Sequence, residues 1–553
     1  MSDQPAPPPD PTEYWLGLWA QLTAPVHSLM QNPVALAFLQ EIHETVQLAV
    51  SYWSRQENNY ADIGKGLSAR VADLLARQEL ETADMATMQR QIFELQALVA
   101  EQLATLIDAT EPLSGRQKKL LHFSLRQLKS MLDPQNAFFS NPDLVARAIE
   151  TRGQLLINAS NNYLADIAES RFGLQPKRAL QDNTDPGQDI ATAPGAVVFQ
   201  NDLIQLIHYR SATRKQREIP LLIIPPCINR FYIFDLSPEA SMIRWLLDQG
   251  QDVYMVSWIN PDATLADLGF ADYVRKGCLQ AADVAAEISK TDQVNLVGYC
   301  IGGLIAAIAS ASGHGKERIA SLSLFSTLLD YSEPGELGIF TSPEMLEAIC
   351  SHIREEGILP AHMLSAVFTF MQEERLFWRF FRSRYLRGEE AVTDALMYWG
   401  QDATNLPAKM AAEYLQKFYG DNALAADEGF LLDDELINLK SFDCPQYILA
   451  CERDHIVPLQ SALDSAGLLG GNPRIVQASG GHVRGVFNHP GQEKGYYRVT
   501  GKRDLNTGSW WTDWNQWLEQ LSGGWVEGKI CAPAQYASIE VSPGSYVRAN
   551  PRK

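Results

Sequence analysis

A cysteine stands between glycines in a pattern that serves nucleophilic chemistry. The motif is Gly298-Tyr299-Cys300-Ile301-Gly302, and it joins a short apolar run to an apolar helical stretch. Glycines two positions either side of a nucleophile permit a sharp strand-turn-helix in which the central backbone is strained. The turn predicts Cys300 as a nucleophile, although cysteines at such a spacing also occur as simple packing residues.

Two further side chains have the types and positions that a cysteine nucleophile needs. The thiol requires a base, and the base requires a third group that orients it. Asp454 follows an apolar run at 447–450, and His482 follows another at 475–477. Acid and histidine come in this order after late strands in hydrolases that carry the turn. The sequence therefore predicts Asp454 and His482 as the partners of Cys300.

Other residues compete for these positions. Asp330 also follows an apolar run and is a second possible acid. His455 neighbours Asp454, but on an extended loop it points elsewhere and is expected to be structural. His489 lies in a turn before a proline and is expected to be a surface or capping residue.

Backbone amides are expected to bind the oxygen of a carbonyl under attack. Ile301 begins the helix after Cys300, so its N–H points to the position where negative charge develops. A second donor is expected from the loop after the run at 221–224, near Cys227 or Ile228. Cys227 itself is not expected to be a second nucleophile, because no such turn surrounds it.

The elements that position these residues alternate between short apolar runs and helical segments. Continuous apolar runs separated by helices predict a mostly parallel sheet covered on both faces. We expect an α/β-hydrolase fold in residues 191–553 and a helical N-terminal domain in residues 1–190. The predicted strands are 221–224, 253–256, 294–297, 321–325, 447–450 and 475–477.

An insertion at about 331–440 interrupts the regular alternation. It is rich in aromatic residues and arginines at 376–385 and follows the strand after the nucleophile helix, where α/β-hydrolases carry their caps. One interpretation is a mobile lid over the site. The other is a helical subdomain whose aromatic residues fill its own core.

Composition narrows the class of function. A net charge of −20 argues against nucleic acid as a partner. The polar, proline-rich start at 1–11 does not have the pattern of a secretory signal, and no run of 18 apolar residues predicts a membrane span. The seven scattered cysteines are typical of cytosolic free thiols, and no cysteine-histidine cluster predicts a metal site.

Several separate stretches, taken together, resemble the polyhydroxyalkanoate synthases. The resemblance covers nearly everything from about Ala193 to the C-terminus and is looser before it. The stretches that carry it are Pro225-Pro226-Cys227-Ile228-Asn229, Val256-Ser257-Trp258-Ile259-Asn260-Pro261-Asp262, Gly298-Tyr299-Cys300-Ile301-Gly302-Gly303, Trp399-Gly400-Gln401-Asp402-Ala403-Thr404-Asn405-Leu406-Pro407, Asp454-His455-Ile456-Val457-Pro458, Ser479-Gly480-Gly481-His482 and Gly508-Ser509-Trp510-Trp511.

The resemblance implies a reaction. Cys300 would take the acyl chain from (R)-3-hydroxyacyl-CoA as a thioester and release CoA. The counterpart of His482 deprotonates the cysteine, and that of Asp454 is thought to activate the 3-hydroxyl of a monomer unit. No cofactor is implied, since the CoA thioester is the substrate. Arg382, Arg384 and Arg387 are candidates for the CoA phosphates.

The same resemblance implies a setting for that reaction. Length and the N-terminal region are most like the single-subunit class I type. Family members work as dimers on polyester granules in the cytoplasm, so a homodimer, a granule surface and phasin-like proteins are the implied partners. Two rivals remain: a cysteine-type α/β-hydrolase or thioesterase that passes the acyl group to water, and a non-catalytic granule-associated protein.

Overall fold

The computed structural model describes residues 32–53, 55, 85–138, 141–169, 184–391, 394–427, 429–492, 494–528 and 536–548. The proline-rich start and Cys531 therefore lie outside the described residues. The chain forms two compact units. We call them the helical unit, within residues 1–178 and 366–392, and the sheet unit, within residues 179–365 and 393–553.

Amphipathic helices build the N-terminal part of the helical unit. Two of them begin directly after Asn32 and Asn141, which each precede a proline and accept backbone N–H groups of the first turn. A small core joins the helices through Ala49, Ile107 and Leu121. The described helices are Pro33–Trp53, Met85–Ala109, Gly115–Met131, Pro142–Glu150 and Gln154–Glu169.

The middle of the insertion folds as part of the helical unit. Its helical turns are Glu374–Trp378, Arg379–Phe381 and Arg382–Leu386, and Ala361–Met371 precedes them. The Arg384 guanidinium donates to both oxygens of Asp166, at 2.8 and 2.7 Å, and Tyr385 Oη donates to the same carboxylate at 2.9 Å. All three side chains are buried. The guanidinium of Arg384 is therefore already paired with a carboxylate of the helical unit. The role of the whole insertion as a lid stays a prediction.

Eleven strands among the described residues form the main sheet of the sheet unit. The strands β3, β4, β5 and β7 are buried along their whole length, which explains their continuous apolar runs. In chain order they are β1 Gly195–Gln200, β2 Ile204–Tyr209, β3 Leu221–Ile224, β4 Val253–Trp258, β5 Val294–Tyr299, β6 Ile319–Phe325, β7 Gln446–Cys451, β8 Arg474–Ala478, β9 Tyr496–Val499, β10 Leu505–Thr507 and β11 Glu540–Val541.

The sheet has the order β10-β9-β8-β7-β6-β5-β3-β4-β2-β1-β11. Strands β3 to β8 run parallel, and the strands outside them pair antiparallel. All six predicted strands are confirmed. This mixed sheet, with a nucleophile turn after a central strand, confirms the predicted α/β-hydrolase fold class.

Helices cover both faces of the sheet, as the apolar runs predict. One face packs against Met242–Asp248 and Trp511–Glu519, and the other packs against Gln280–Ser289 and Ile301–Ala311. The remaining described helices of the sheet unit are Phe270–Asp272, Tyr273–Leu279, Gly313–Arg318, Pro343–Glu356, Ala395–Gln401, Ala408–Tyr414, Leu415–Gly420 and Leu459–Ala466.

Candidate active site

Cys300 lies at the carboxyl end of β5, one residue before the helix Ile301–Ala311, which we call the elbow helix. Its backbone has φ 55° and ψ −127°, a conformation that L-residues other than glycine rarely adopt. The Cys300 N–H donates to the carbonyl of Phe325 on β6 at 3.0 Å, which holds the strained residue in place. The thiol is partly exposed. The sharp turn that the sequence predicts is therefore present.

The glycines of the motif are required because the elbow helix approaches other backbone closely. A Cβ at Gly302 would lie 2.3 Å from the carbonyl oxygen of Ile224 and 2.6 Å from that of Pro225. A Cβ at Gly298 would lie 2.4 Å from the Cα of Gly303. Side chains at these positions would separate the helix from the strand and from the loop after β3.

The structure brings His482 and Asp454 together, each in the loop after its strand. His482 Nδ1 lies 2.8 Å from Asp454 Oδ2, and both side chains are buried. The charge of Cys300 also acts on the same ring, so the thiol lies near it. The other carboxylate oxygen of Asp454 accepts the backbone N–H groups of Ile456 and Val457, each at 2.9 Å. Hydrogen bonds therefore join His482 to Asp454 and Asp454 to its own loop, and Cys300 lies beside the ring.

This chain of contacts changes the pKa values of its members. Burial lowers the pKa of His482, but the charges of Asp454 and Cys300 outweigh burial and raise it to about 10. Burial raises the pKa of Asp454, while His482 and the two backbone donors outweigh burial and bring it below its ordinary value. The geometry favours an imidazolium at neutral pH, placed between a carboxylate and the thiol.

Both expected sources of oxyanion donors lie beside Cys300. The N–H of Ile301 is the first of the elbow helix, where intrahelical acceptors do not yet exist. Cys227 is buried, and burial followed by the nearby charge of Cys300 raises the pKa of its thiol. Cys227 therefore lies near Cys300, and Ile228 follows it in the loop. A buried thiol with a raised pKa is a poor nucleophile, as expected for Cys227.

The competing residues have other partners. Asp330 accepts the N–H of Ser332 and the amide of Asn422, each at 2.9 Å. His489 Nδ1 accepts the N–H of Gly491 at 3.0 Å, so it stabilises its own turn. His455 is half-buried on the loop after Asp454.

Three tyrosines near Cys300, of which Tyr331 is buried and Tyr414 and Tyr419 are half-buried, were not predicted from the sequence. Burial raises the pKa of Tyr331, Tyr414 and Tyr419, and the charge of Cys300 adds to the shift of each. The ring centroids of Tyr331 and Tyr419 are 4.8 Å apart, and those of Tyr414 and Tyr419 are 5.5 Å apart. The insertion supplies all three. Aromatic residues in a long insertion were the available signal, but the sequence does not show which of them approach the thiol.

The described residues include neither a helix that could span a membrane nor a cluster of metal ligands. No helix there has the length and apolar character needed to cross a bilayer. No group of three or more histidine, cysteine or acidic side chains in these ranges is arranged to hold a metal ion.

The first prediction concerns the space at Gly302. Replacing glycine by alanine inside a helix usually stabilises it, by about 0.5–1 kcal/mol. Gly302→Ala should instead lower the free energy of unfolding by about 1–3 kcal/mol, because its Cβ meets fixed carbonyl oxygens. Urea denaturation measures the change. Gly115→Ala is the matched control, since a Cβ there meets nothing within 4 Å. Equal effects at the two positions would contradict the packing argument.

The second prediction concerns pH. The folded pKa of His482 is raised, so its stabilising contribution is complete below the ordinary value of 6.5 and declines as pH rises toward about 10. As pH rises from 6.5 towards about 10, the thermal unfolding midpoint should therefore fall more steeply for the wild type than for His482→Gln. His489→Gln is the control. The pKa of His489 is lowered, so its removal should not change the slope above 6.5. Parallel curves for wild type and His482→Gln would refute the raised pKa.

Two families of known proteins match long stretches of this chain. Residues 75–246 match the family described as the N-terminus of poly-beta-hydroxybutyrate polymerase (PhaC), and residues 220–484 match the alpha/beta hydrolase fold. The chain is 35% identical to a poly(3-hydroxyalkanoate) polymerase subunit PhaC of Rhizobium etli, over 80% of this chain and 71% of that protein. It is 33% identical to the PhaC subunit of Cupriavidus necator, over 82% and 79%. It is 31% identical to poly(3-hydroxyalkanoate) polymerase 1 of Ectopseudomonas oleovorans, over 77% and 78%. The chain belongs to the poly(3-hydroxyalkanoate) polymerase family.

Proposed function

We propose that this chain polymerises (R)-3-hydroxyacyl-CoA into a polyester and releases CoA, with Cys300 as the covalent carrier. One observation carries the proposal. In a chain of this family, the residue on the strained elbow is a thiol, and its charge acts on the buried ring of His482. A thiolate attacks thioesters readily, and the acyl-cysteine that forms remains activated for transfer to an alcohol.

Acylation is the first step. The Cys300 thiolate attacks the thioester carbonyl, and the resulting oxyanion is bound by the N–H of Ile301 and by a donor from the loop after β3. The carbon–sulfur bond to CoA breaks as the carbonyl re-forms. The His482 imidazolium gives its proton to the departing CoA thiolate. The products of this step are CoA, a neutral His482 and an acyl group on Cys300.

Ester formation is the second step. Neutral His482 takes the proton of the 3-hydroxyl of the next hydroxyacyl unit, whose oxygen attacks the acyl group on Cys300. An ester bond forms, the bond to sulfur breaks, and the Cys300 thiolate and His482 imidazolium are restored. Since each step leaves the proton where the next one needs it, His482 serves both.

The contacts of Asp454 support a role through His482. One of its oxygens binds the ring and the other binds two backbone N–H groups, and its side chain is fully buried. Its lowered pKa also makes it a weak base towards an alcohol. We propose that Asp454 fixes the orientation and the charge of His482, in preference to the direct activation of the hydroxyl that the resemblance implies.

Water must be kept from the acyl-cysteine if chains are to grow. The ring of Tyr331, which is buried, and the half-buried rings of Tyr414 and Tyr419 pack against one another near the thiol. An apolar wall at this place favours an acyl chain over water. This feature favours polymerisation over the thioesterase alternative.

We extend the proposal to the setting of the enzyme. In this setting the chain works as a homodimer at the surface of cytoplasmic polyester granules, with phasin-like partners. The support for this part of the proposal is the family resemblance alone. The class I single-subunit type rests on the same ground.

The third prediction tests the reaction. Purified protein with (R)-3-hydroxybutyryl-CoA should release CoA and yield polyester, and a longer-chain substrate should give a rate ratio that defines the monomer preference. Thiol release and analysis of the acyl product are the measurements. Cys300→Ala should abolish CoA release. Free 3-hydroxy acid would establish a thioesterase instead, and no turnover at all would favour a non-catalytic granule protein.

The fourth prediction separates the two roles of Asp454. If the carboxylate acts through His482, Asp454→Asn should slow single-turnover acylation of Cys300 and chain growth by similar factors, about 10³–10⁴-fold. Rapid-quench analysis of the acyl-enzyme and of polymer length measures both. Acylation that survives while chain growth collapses would show that Asp454 acts on the hydroxyl itself.

A further inference from the structure

The insertion binds the loop after β3 through the carbonyl groups of that loop. Thr404 Oγ1 donates to the carbonyl of Cys227 at 2.7 Å, and the Thr404 N–H donates to the carbonyl of Ile228 at 3.0 Å. Thr404 is fully buried, with 1% of its surface exposed. The segment 399–405 thus contacts two successive peptide units of the 225–232 loop.

These two hydrogen bonds determine where the N–H groups of the loop point. A trans peptide unit directs its carbonyl and the following N–H in opposite directions. Because the Cys227 carbonyl points to Thr404, the N–H of Ile228 points away from Thr404. A backbone donor held in this way needs no reorganisation when negative charge develops in front of it.

The elbow contacts the same loop. The carbonyl oxygens of Ile224 and Pro225 face Gly302, in the first turn of the elbow helix. The charge of Cys300 acts on Cys227. The loop is therefore in contact with the nucleophile turn as well as with Thr404.

Other contacts of the segment fasten the same loop further along. Trp399 Nε1 donates to the carbonyl of Arg230 at 2.8 Å, and Tyr232 Oη donates to Asp402 at 2.7 Å. Arg230 Nε also contacts Asp402, at 3.4 Å. All of these loop side chains are buried. Since the rest of the loop has its own bonds, loss of the Thr404 hydroxyl alone should loosen one peptide unit and leave the fold in place.

We propose that Thr404 is a positioning residue, whose hydroxyl aims the N–H of Ile228 at the oxyanion formed on acylation of Cys300. This inference rests on the proposed function in one respect, namely that the natural acyl donor is a CoA thioester. The oxyanion itself forms with any activated acyl donor that Cys300 attacks. Thr404 acts through the loop and does not touch the substrate.

The fifth prediction compares variants at Thr404. Thr404→Val keeps the shape and removes the donor, whereas Thr404→Ser keeps the donor. Thr404→Val should lower kcat for CoA release about tenfold, less than the loss of a whole oxyanion donor, with KM nearly unchanged. Thr404→Ser should restore most of the wild-type rate. Ser321→Ala is the matched control, because it also removes a buried hydroxyl group that donates a hydrogen bond, here to Asn295. This pair lies near the amino ends of β6 and β5, at the end of the sheet away from Cys300.

Alkylation of Cys300 by iodoacetamide distinguishes loss of positioning from a general structural effect of the substitution. Mass spectrometry of the peptide that contains Cys300 measures the rate of alkylation. Alkylation uses the same thiolate but forms no oxyanion, so Thr404→Val should alkylate at the wild-type rate. If it slows alkylation and acylation equally, its effect is structural and the inference falls. If Thr404→Val acylates as fast as the wild type, the inference falls as well.

Acylation of Cys300 by p-nitrophenyl butyrate distinguishes a failure of the proposed polymerase function from a failure of the proposed role of Thr404. If the wild type is acylated but makes no polyester, the proposed function fails, and the Thr404 comparison is then made on this ester. If neither the ester nor the CoA thioester acylates Cys300, both proposals fail.

Discussion

The strained backbone of Cys300 is the constraint on which the rest of the site depends. A residue at φ 55° and ψ −127° persists only where its surroundings leave no alternative. Here β6 binds its N–H, and the elbow helix packs so closely on β5 and on the loop after β3 that two glycines are needed. The strain therefore requires a buried parallel sheet. It is compensated by strands β3, β4, β5 and β7, which are buried along their whole length.

The same constraint places a charged pair where water is scarce. Buried charges are tolerated when each has partners, and here the imidazolium of His482 lies between Asp454 and the Cys300 thiol. Both oxygens of Asp454 are used, so the pair can exchange a proton with substrate only through the outer nitrogen of the ring. A site of this kind gives and takes protons at one atom. This suits a reaction in which a thiol leaves and an alcohol then attacks.

Local patterns in the sequence sufficed for the six parallel strands of the sheet and for the order of the site residues. The six parallel strands follow from short apolar runs, and four of these strands are buried along their whole length. Cys300, Asp454 and His482 each follow a strand whose carboxyl end lies at the same edge. The packing of the insertion could not be predicted from local patterns. Asp166 and Arg384 form their buried pair across more than two hundred residues of chain, and nothing local predicts it. Tyr331 and Tyr419 were missed for the same reason, because long-range packing brings them to the thiol.

The contacts of the insertion also restrict how substrate enters. Segment 399–405 is hydrogen-bonded to the 225–232 loop through Thr404, Trp399 and Asp402, and these groups are largely buried. A lid that swung away as one body would break all of these bonds. It would leave buried carbonyls without donors and would release the peptide unit of Ile228 at the moment when substrate must be bound. The part of the insertion next to the site is therefore better understood as fixed support for the loop, since catalysis by preorganised donors requires that they stay in place.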